Sequence, residues 1–420
     1  KYGYPIGHAT IDIRPGEHVH IQNMRTNLSE VLEYTYQPEH VELKGENKNL
    51  TFNGYRRKNN QVGIRNEIWI VPTVGCVNGT AEAILKTFLS ENKTENIDSF
   101  EVFKHHFGCS QLGEDHQNTK NILCDIILHP NAAGVLVLGL GCENNKIEDL
   151  KIALGEYDPE RIKFLTTQLV QNEIAEGVAL LKEIYFNSAT DVRVPVSISE
   201  LRIGLKCGGS DGLSGITANP LTGFFSDFLI SQGGTTVLTE VPEMFGAETI
   251  LMKRCKNKEV FEKTVHLIND FKDYFIALNQ PIYENPSPGN KAGGITTLEE
   301  KSLGCIQKGG QATIVDVLNY GDRLKLKGLN LLSGPGNDLV SCTALGASGC
   351  HLILFTTGRG TPFGSFIPTL KISTNTALSE YKPHWIDFNA GTLIENKPAS
   401  DVLNLLIDKV IQTANGEKIN

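Results

Sequence analysis

Apolar and polar positions change their spacing repeatedly along the chain from about residue 53 onward. Short apolar runs, such as the one at residues 68–71, carry no polar alternation, which is typical of strands buried on both faces of a parallel sheet. Between them lie longer segments whose apolar residues recur at three and four positions, the spacing of a helix with one buried face. Strands that alternate with helices indicate parallel βαβ units, so the pattern predicts an α/β protein.

The predicted elements fall into two α/β stretches. Strands are predicted at residues 67–72, 101–105, 134–138, 201–205, 235–238, 329–332, 351–355 and 370–373. Helices are predicted at residues 79–89, 118–128, 173–184, 259–278 and 399–414, and a loop at residues 279–294. A polar stretch at residues 187–200 predicts a domain boundary, so domains are expected at residues 51–197 and 198–420. Residues 1–50 are polar and are expected to form a short β-rich piece followed by a linker.

Glycine is the residue type that stands out in the composition, with 41 of 420 positions against a usual share of about 7 %. Many of these glycines follow directly after predicted strands, in loops at residues 74–76, 107–110, 139–143, 206–212, 333–338 and 357–361. In open α/β sheets, ligands bind at the carboxyl ends of the strands. The positions of the glycines therefore predict a rim of loops that approach a ligand closely.

Charge and cysteine content exclude several classes of partner. The formal net charge of -9 and the absence of a clustered basic face disfavour nucleic acid. The longest apolar run, about residues 132–140, is far shorter than the ~20 residues of a membrane helix, so no membrane partner is expected. Nine cysteines without a Cys-x-x-Cys pair favour free or metal-bound thiols and a cytoplasmic location. Neither a P-loop nor a dinucleotide fingerprint is present, which disfavours ATP and NAD.

Four cysteines lie in the glycine-rich turns that follow predicted strands, namely Cys76, Cys109, Cys142 and Cys207. Together they form a candidate thiolate set for one metal ion or cluster. Three histidines lie close in sequence, namely His105, His106 and His116, and this mixture of donors suits iron or zinc. Asp211 and Glu143 are candidates for a divalent ion or for acid–base work, with helix capping as the structural alternative for each.

Two cations and a pair of histidines are candidates for binding an anionic substrate. Arg359 lies between two glycines, where a planar guanidinium suits an anion. Lys291 lies in a glycine-rich segment and is interpreted either as a carboxylate ligand or as a solvated surface lysine. His18 and His20 are two residues apart, so on a strand they would face the same side and could bind metal or substrate. A surface pair is the alternative.

Several long motifs resemble the altronate/galactarate dehydratase family. They are Gly-Tyr-Arg-Arg at residues 54–57, Gly-Ile-Arg-Asn-Glu at 63–67, Pro-Thr-Val-Gly-Cys-Val-Asn at 72–78, Gly-Cys-Ser-Gln-Leu-Gly at 108–113, Gly-Leu-Gly-Cys-Glu-Asn-Asn at 139–145, Cys-Gly-Gly-Ser-Asp-Gly-Leu-Ser-Gly at 207–215 and Thr-Glu-Val-Pro-Glu at 239–243. The resemblance extends through residues 289–301 and covers almost the whole chain. It implies a hydro-lyase that converts D-altronate to 2-dehydro-3-deoxy-D-gluconate, with Fe(II) or Mn(II) as activator.

The resemblance also implies the architecture. It suggests a small N-terminal β-clip domain, a middle domain used for forming a homodimer, and a C-terminal Rossmann-like domain, a mainly parallel sheet that carries the metal. Only the tail of the β-clip domain, roughly residues 1–28, is expected here, since the sequence starts with Lys1. The chain is therefore expected to be a fragment that lacks most of that domain.

The resemblance suggests roles for the candidate residues. The metal ligands are sought among Cys76, Cys109, Cys142, Glu143, Cys207 and Asp211. Proton transfer is assigned to a histidine among His105, His106 and His116. Lys291, grouped with these catalytic candidates, is assigned with Arg359 to the substrate carboxylate. Asn290, Ser210, His18 and His20 are further candidates for binding the sugar acid. The alternatives are galactarate dehydratase, the large chain of sulfolactate sulfo-lyase, and a non-catalytic protein that binds sugar acids. An iron–sulfur protein built on the four cysteines is a further, less favoured alternative.

Overall fold

The computed structural model describes residues 2–43, 48–395 and 397–420. Residues 44–47 of the predicted linker lie outside the described part. The N-terminal piece contains one short antiparallel pair, β1 (His8–Ala9) with β2 (Met24–Arg25). It is attached to the C-terminal part through Glu299, whose carboxylate accepts hydrogen bonds from Thr26 Oγ1 at 2.8 Å and Asn27 N at 2.6 Å. The piece therefore packs on the C-terminal part of the chain.

The middle part is a four-stranded parallel sheet covered by helices. Its elements are β3 (Thr51–Arg56), β4 (Val62–Gly63), β5 (Glu67–Pro72), α1 (Asn78–Glu91), β6 (Phe100–Val102), α2 (Gly113–Ile127), β7 (Ala132–Gly139), α3 (Ile147–Leu154), β8 (Ile162–Thr166), α4 (Glu173–Ser188) and β9 (Val194–Ser197). The parallel sheet has the order β6-β5-β7-β8. A separate antiparallel sheet, β4-β3-β9, joins the two ends of this part.

The C-terminal part is built on a seven-stranded sheet. Its elements are β10 (Arg202–Cys207), α5 (Ala218–Ser231), β11 (Thr235–Leu238), α6 (Glu248–Lys253), α7 (Lys258–Ala277), α8 (Pro288–Ala292), α9 (Leu298–Cys305), β12 (Ile314–Leu318), β13 (Gly328–Leu332), α10 (Asp338–Ala347), β14 (Leu352–Thr357), β15 (Thr369–Ser373), α11 (Thr376–Tyr381), β16 (Phe388–Asn389) and α12 (Ala399–Ala414). The strand order is β12-β13-β11-β10-β14-β15-β16, and every pair is parallel. The predicted α/β class, with a Rossmann-like parallel sheet, is confirmed.

Both parallel sheets have a point where the strand order reverses. In the C-terminal sheet, β10 comes first in the chain and lies between β11 and β14. In the middle sheet, β5 likewise comes first and lies between β6 and β7. The loops that leave adjacent strands on opposite sides open a crevice at the carboxyl edge, where ligands bind in this type of fold. The glycine-rich loops identified in the sequence follow the strands at these two edges.

The middle and C-terminal parts are joined by buried polar contacts. His129 Nε2 lies 3.1 Å from the Cys350 carbonyl oxygen, and Asn131 Nδ2 donates to the His351 carbonyl at 3.1 Å. Arg65 donates from the middle part to the Thr413 carbonyl at 2.7 Å and to the Glu417 carbonyl at 3.1 Å. The two bonds from Arg65 fasten the end of α12 to the middle part.

Most predicted elements are present, with differences at some boundaries. Helix α12 spans the predicted residues 399–414, whereas β6 ends at Val102, so His105 lies beyond the strand predicted for residues 101–105. The predicted loop at 279–294 contains the short helix α8, because Ser287 caps its first turn by accepting from Asn290 N. No helix within the described ranges has the length and apolarity that crossing a membrane requires.

Candidate active site

A buried group of two thiols and one carboxylate lies at the carboxyl edge of the C-terminal sheet. Cys207 ends β10, Glu243 lies in the turn after β11, and Cys305 ends α9. The two sulfurs are 3.4 Å apart, and each lies 3.1 Å from Glu243 Oε2. Within the described residues this is the one group of three such side chains whose donor atoms lie within 4.8 Å of one another. All three side chains are buried, so the group is a candidate metal site.

Local sequence explains how α9 delivers its cysteine. Thr297 caps the helix by accepting from Glu300 N, and every residue of α9 is buried. Asn219 of α5 donates to the Gly304 carbonyl at 3.0 Å, which fixes the last turn of α9. Cys305 therefore reaches the strand edge from a helix that has no exposed face.

Three buried lysines surround the group and face acidic partners. Lys301 Nζ lies 2.7 Å from Glu243 Oε1. Lys308 Nζ lies 2.9 Å from Cys207 Sγ and 3.1 Å from Glu240 Oε2. Lys206, next to Cys207 in β10, pairs with Glu240. The group therefore lies within a buried network of lysines and carboxylates whose charges are paired with one another.

Lys206 also pairs with a carboxylate at the edge of the neighbouring cavity. Its Nζ lies 2.8 Å from Asp338 Oδ1, and the Asp338 side chain is about one third exposed, at 37 %. This pair connects the buried charges with a surface that a ligand reaches.

The electrostatics of the group follow from burial and pairing. Burial lowers the pKa of Lys301 and of Lys308, but the facing acidic groups outweigh it and raise both above the ordinary value. Burial raises the pKa of Glu243, but Lys301 and the other two lysines outweigh it and hold that pKa well below its usual range. The hydrogen bond with Cys207, together with burial, raises the pKa of the Cys305 thiol. The lysines and Glu243 are thus charged, whereas a metal ion must displace the Cys305 proton.

A cavity of about 540 Å³ opens over Cys207 and Glu243. Its lining includes the polar side chains Asn290, Lys301, Asp338 and Arg359, together with the backbone at residues 208–209. Gly208 has no room for a side chain, because a Cβ would lie 2.7 Å from Asp338 Oδ2 and 2.6 Å from the Phe355 ring. The cavity is large enough for a small polar ligand.

The structure brings several sequence-predicted residues together at this cavity. Cys207, Asn290 and Arg359 all line it. Asn290 Nδ2 donates to the Ser210 carbonyl at 2.9 Å, and Asn290 Oδ1 accepts from Lys301 at 3.1 Å. Arg359 is exposed at the rim and donates to the Gly289 carbonyl at 3.1 Å. Ser210 is buried and contributes through its backbone.

Asp211 and Lys291 lie nearby in other surroundings. The Asp211 carboxylate accepts from Leu213 N at 3.1 Å and from Thr374 Oγ1 at 3.0 Å, so it organises its own loop. Gly358 packs against it so closely that a Cβ would lie 2.1 Å from Asp211 Cγ. Lys291 is half-buried on α8 and is not part of the lining of the 540 Å³ cavity.

The predicted four-cysteine set is divided between the two parts of the chain. Cys207 groups with Glu243 and Cys305, whereas the remaining three, Cys76, Cys109 and Cys142, are exposed at the edge of the middle sheet. The fold forms no single four-thiol centre, because the four loops belong to two different sheets.

Glu143 and the histidines of the middle part make local contacts. Glu143 accepts from Thr73 Oγ1 at 2.6 Å and Leu140 N at 3.0 Å. Although burial raises its pKa, these hydrogen bonds outweigh burial and lower it. His105 Nε2 lies 2.8 Å from the Pro72 carbonyl and its Nδ1 accepts from Phe107 N at 3.1 Å, so both ring nitrogens contact the backbone.

The other predicted histidines lie in more open surroundings. His106 is exposed, and His116 is half-buried on α2. His18 and His20 stack with their ring centroids 5.3 Å apart. They lie between β1 and β2, outside any strand of the described residues. The two rings are therefore brought together by a loop and not by the alternation of side chains along a strand.

Sequence reasoning missed most of the buried group. Glu243 was part of a recognised motif, and its position after β11 follows the same strand-end rule that found Cys207. Cys305 follows a helix and gave no such signal. Lys206 gave a signal in the sequence, because it is a charged residue within an apolar strand and therefore needs a buried partner.

An open parallel sheet with a buried thiol–carboxylate group beneath a polar cavity defines the chain as an α/β protein with an enzyme-like site at a topological switch point. Three family models match it: D-galactarate/altronate dehydratase, C-terminal, at residues 198–420; D-galactarate dehydratase/altronate hydrolase, second domain, at 54–188; and the altronate/galactarate dehydratase SAF domain at 1–27. The chain belongs to the altronate/galactarate dehydratase family.

Curated relatives place the chain within that family. It is 61 % identical to the altronate dehydratase of Bacillus subtilis (strain 168), over 100 % of this chain and 85 % of the relative. It is 56 % identical to the altronate dehydratase of Escherichia coli (strain K12), with the same coverage. The galactarate dehydratase (L-threo-forming) of Escherichia coli (strain K12) is 33 % identical over 88 % of this chain and 73 % of its own length.

Proposed function

We propose that this chain is an altronate dehydratase, a hydro-lyase that converts D-altronate to 2-dehydro-3-deoxy-D-gluconate. The observation that carries the proposal is the identity of 61 % and 56 % to two altronate dehydratases over the whole chain. Identity to the galactarate enzyme is much lower, at 33 %. The cavity beside Cys207 offers the polar and cationic lining that a sugar acid needs.

The substrate carboxylate is assigned to Arg359. Its guanidinium lies at the rim of the cavity, and a planar fork of donors suits a carboxylate held by two hydrogen bonds. Lys301, charged and deeper in the same lining, supplies positive charge toward the carbon that loses its proton. Negative charge develops on the carboxylate oxygens when that proton leaves, so fixed cations lower the barrier.

Cys207, Glu243 and Cys305 would hold the divalent metal ion. The donor set fits, because the three donor atoms lie within 4.8 Å of one another and the carboxylate is charged. Two thiols favour Fe(II) over Mn(II), since manganese prefers oxygen ligands. Such an ion supplies Lewis acidity for the hydroxyl that departs.

Proton abstraction is assigned to Asp338. Its carboxylate lines the cavity and is held by Lys206 at 2.8 Å, a contact that orients it. The residues that line this cavity do not include His105, His106 or His116. The proton on the carbon next to the carboxylate moves to Asp338 Oδ2, and the hydroxyl on the following carbon leaves with a proton as water. The enol formed by this elimination then tautomerises to the 2-keto acid.

The proposal is tested by substrate comparison under anaerobic conditions with added Fe(II). Purified protein is incubated separately with altronate, galactarate and sulfolactate, and formation of 2-keto-3-deoxy acid is followed by NMR, with sulfite release as the readout for sulfolactate. We expect turnover of altronate and at least about tenfold lower kcat/KM for galactarate. Preferred turnover of galactarate or sulfolactate would contradict the assignment, and binding of altronate without product would favour a sugar-acid sensor.

Other properties of the chain are proposed with it. A homodimer formed through the middle part is supported by large exposed apolar side chains there, Leu112, Ile152, Leu169 and Phe186. All nine cysteines are free, which supports a reducing cytoplasm. The proposed domains are residues 51–197 and 198–420, with residues 1–50 as a β-clip remnant and linker. Light scattering of the purified protein tests the dimer.

A further inference from the structure

Three exposed cysteines lie at the carboxyl edge of the middle sheet, away from the cavity described above. Cys76 follows β5, Cys109 follows β6 and Cys142 follows β7. These three strands are adjacent, with β5 between the other two. The loops therefore leave one edge of one sheet, at the point where its strand order reverses.

The three loops are hydrogen-bonded into one unit. Gly75 N, next to Cys76, donates to the carbonyl of Phe107, two residues before Cys109, at 3.0 Å. This bond joins the first loop to the second. Asn144 N donates to the Gly108 carbonyl at 3.0 Å, which joins the second loop to the third. The second loop also packs closely on the first, because a Cβ on Gly108 would lie 2.1 Å from the Thr73 carbonyl oxygen. The cysteines are thus carried by a compact backbone cluster.

Polar atoms beneath these loops lack partners in the described part of the chain. The Asn145 side chain is fully buried, and neither its Oδ1 nor its Nδ2 makes a hydrogen bond. Asn78 Oδ1 and His116 Nε2, both near the same loops, are also buried and unpartnered. Orphaned polar atoms of this kind are uncommon in folded proteins and point to a bound group.

We propose that Cys76, Cys109 and Cys142 bind an iron–sulfur cluster. A single tetrahedral ion with bonds of about 2.3 Å would bring its thiolates to ~3.8 Å from one another. These three sulfurs do not form a group within 4.8 Å, so they are spaced too widely for one ion. A cluster holds its thiolates farther apart than one ion does, because several iron and sulfide atoms lie between them.

The chemistry of the surroundings agrees with a cluster held by thiolates alone. Glu143, the carboxylate in the third loop, turns inward to Thr73 and the backbone and is not available as a ligand. Gln168 Nε2 lies 3.7 Å from Cys142 Sγ, a hydrogen bond of the kind that tunes cluster sulfurs. Three protein thiolates leave one iron without a protein ligand. The site does not rest on the proposed dehydratase activity.

The test is the iron and acid-labile sulfide content of full-length chain purified without air and reconstituted with iron salt, sulfide and dithiothreitol. We expect about four iron and four sulfide atoms per chain with a brown chromophore. Cys109→Ser and Cys142→Ser should each lose most of the sulfide. Cys305→Ser, which alters the other site, should retain it.

Ser110→Ala is the matched control beside Cys109, and it should keep the chromophore. Circular dichroism checks that each variant is folded. The exposed positions of these cysteines are expected to tolerate the substitutions. A colourless protein without sulfide would overturn the proposal, as would sulfide that survives both cysteine substitutions. One zinc ion lost with Cys109→Ser would also overturn it, in favour of a single-ion site. Each readout is separate from altronate turnover, so failure here leaves the proposed function untouched.

Discussion

Single charges set the properties of the buried group in the C-terminal part. Glu243 faces Lys301 on one side and two thiols on the other, all nearly closed to solvent. Burying an ion pair costs solvation free energy, which its partners recover only when both charges are present. Removing one charge therefore changes more than one contact.

Glu243→Gln is expected to weaken both metal binding and the fold. The substitution leaves the Lys301 ammonium buried without its counter-charge, which costs about 3–5 kcal/mol of unfolding free energy. It also removes the charged oxygen ligand, so affinity for Fe(II) should fall at least about tenfold. Metal analysis and urea unfolding measure the two effects. Glu284→Gln, an exposed carboxyl lining the same cavity, is the control; equal effects in both variants would contradict the assignment.

Arg359→Lys tests the carboxylate assignment. Lysine keeps the positive charge but loses the planar pair of donors, so KM for altronate should rise about tenfold, or ~1.4 kcal/mol. The value of kcat should change less, because the group is assigned to binding. Steady-state kinetics measures both, and Arg56→Lys on the exposed face of β3 is the control. An unchanged KM would remove Arg359 from the site.

At the scale of elements, α5 is in close contact with the turn that carries Lys308. A Cβ on Gly223 of α5 would lie 2.1 Å from the Gln307 carbonyl oxygen. Gly223→Ala should therefore displace the turn, cost about 1–3 kcal/mol of stability and reduce turnover by moving Lys308 away from Cys207. Chemical unfolding and the altronate assay check this. Gly79→Ala in α1, with open space around it, should leave turnover unchanged.

The sequence predicts elements better than it predicts the contacts between them. The spacing of apolar residues located α12 at residues 399–414 and most strands of both sheets. The strand-end rule located Cys207 and the loop of Arg359. It could not locate Cys305, which reaches the same edge from the end of α9 because of tertiary packing. Nor could it separate the cysteines of the middle sheet from Cys207, since sheet membership depends on pairing between distant residues.

At the scale of the whole molecule, buried histidines between the two parts make stability depend on pH. Burial lowers the pKa of His129 to about 3, whereas a histidine in the unfolded chain titrates near ~6.5. Between these values the unfolded state binds a proton that the folded state does not. Stability contributed by this group is therefore present above ~6.5 and is lost progressively as pH falls from there toward 3.

His129→Gln should flatten this dependence. Between pH 7 and pH 5 the wild-type chain should lose about 2 kcal/mol through His129, and the variant should lose that much less. Urea unfolding at the two pH values measures the difference for each chain. Parallel losses in both chains would show that His129 does not contribute. Glutamine does not titrate in this range. A stability cost of the substitution that is the same at both pH values cancels when the two losses of unfolding free energy are compared.

The bonds from Arg65 to the end of α12 have a consequence for biosynthesis. Arg65 and Thr413 are separated by 348 positions in the chain. A ribosome releases the middle part long before residues 413–417 exist, so the face that receives them stays open to water while the C-terminal part is made. The entropic cost of closing such a loop grows slowly, by about 0.6 kcal/mol for each doubling of the loop length. The long separation in sequence therefore delays these bonds more than it weakens them. During synthesis the middle part therefore lacks these two hydrogen bonds until the last residues of the chain have been made.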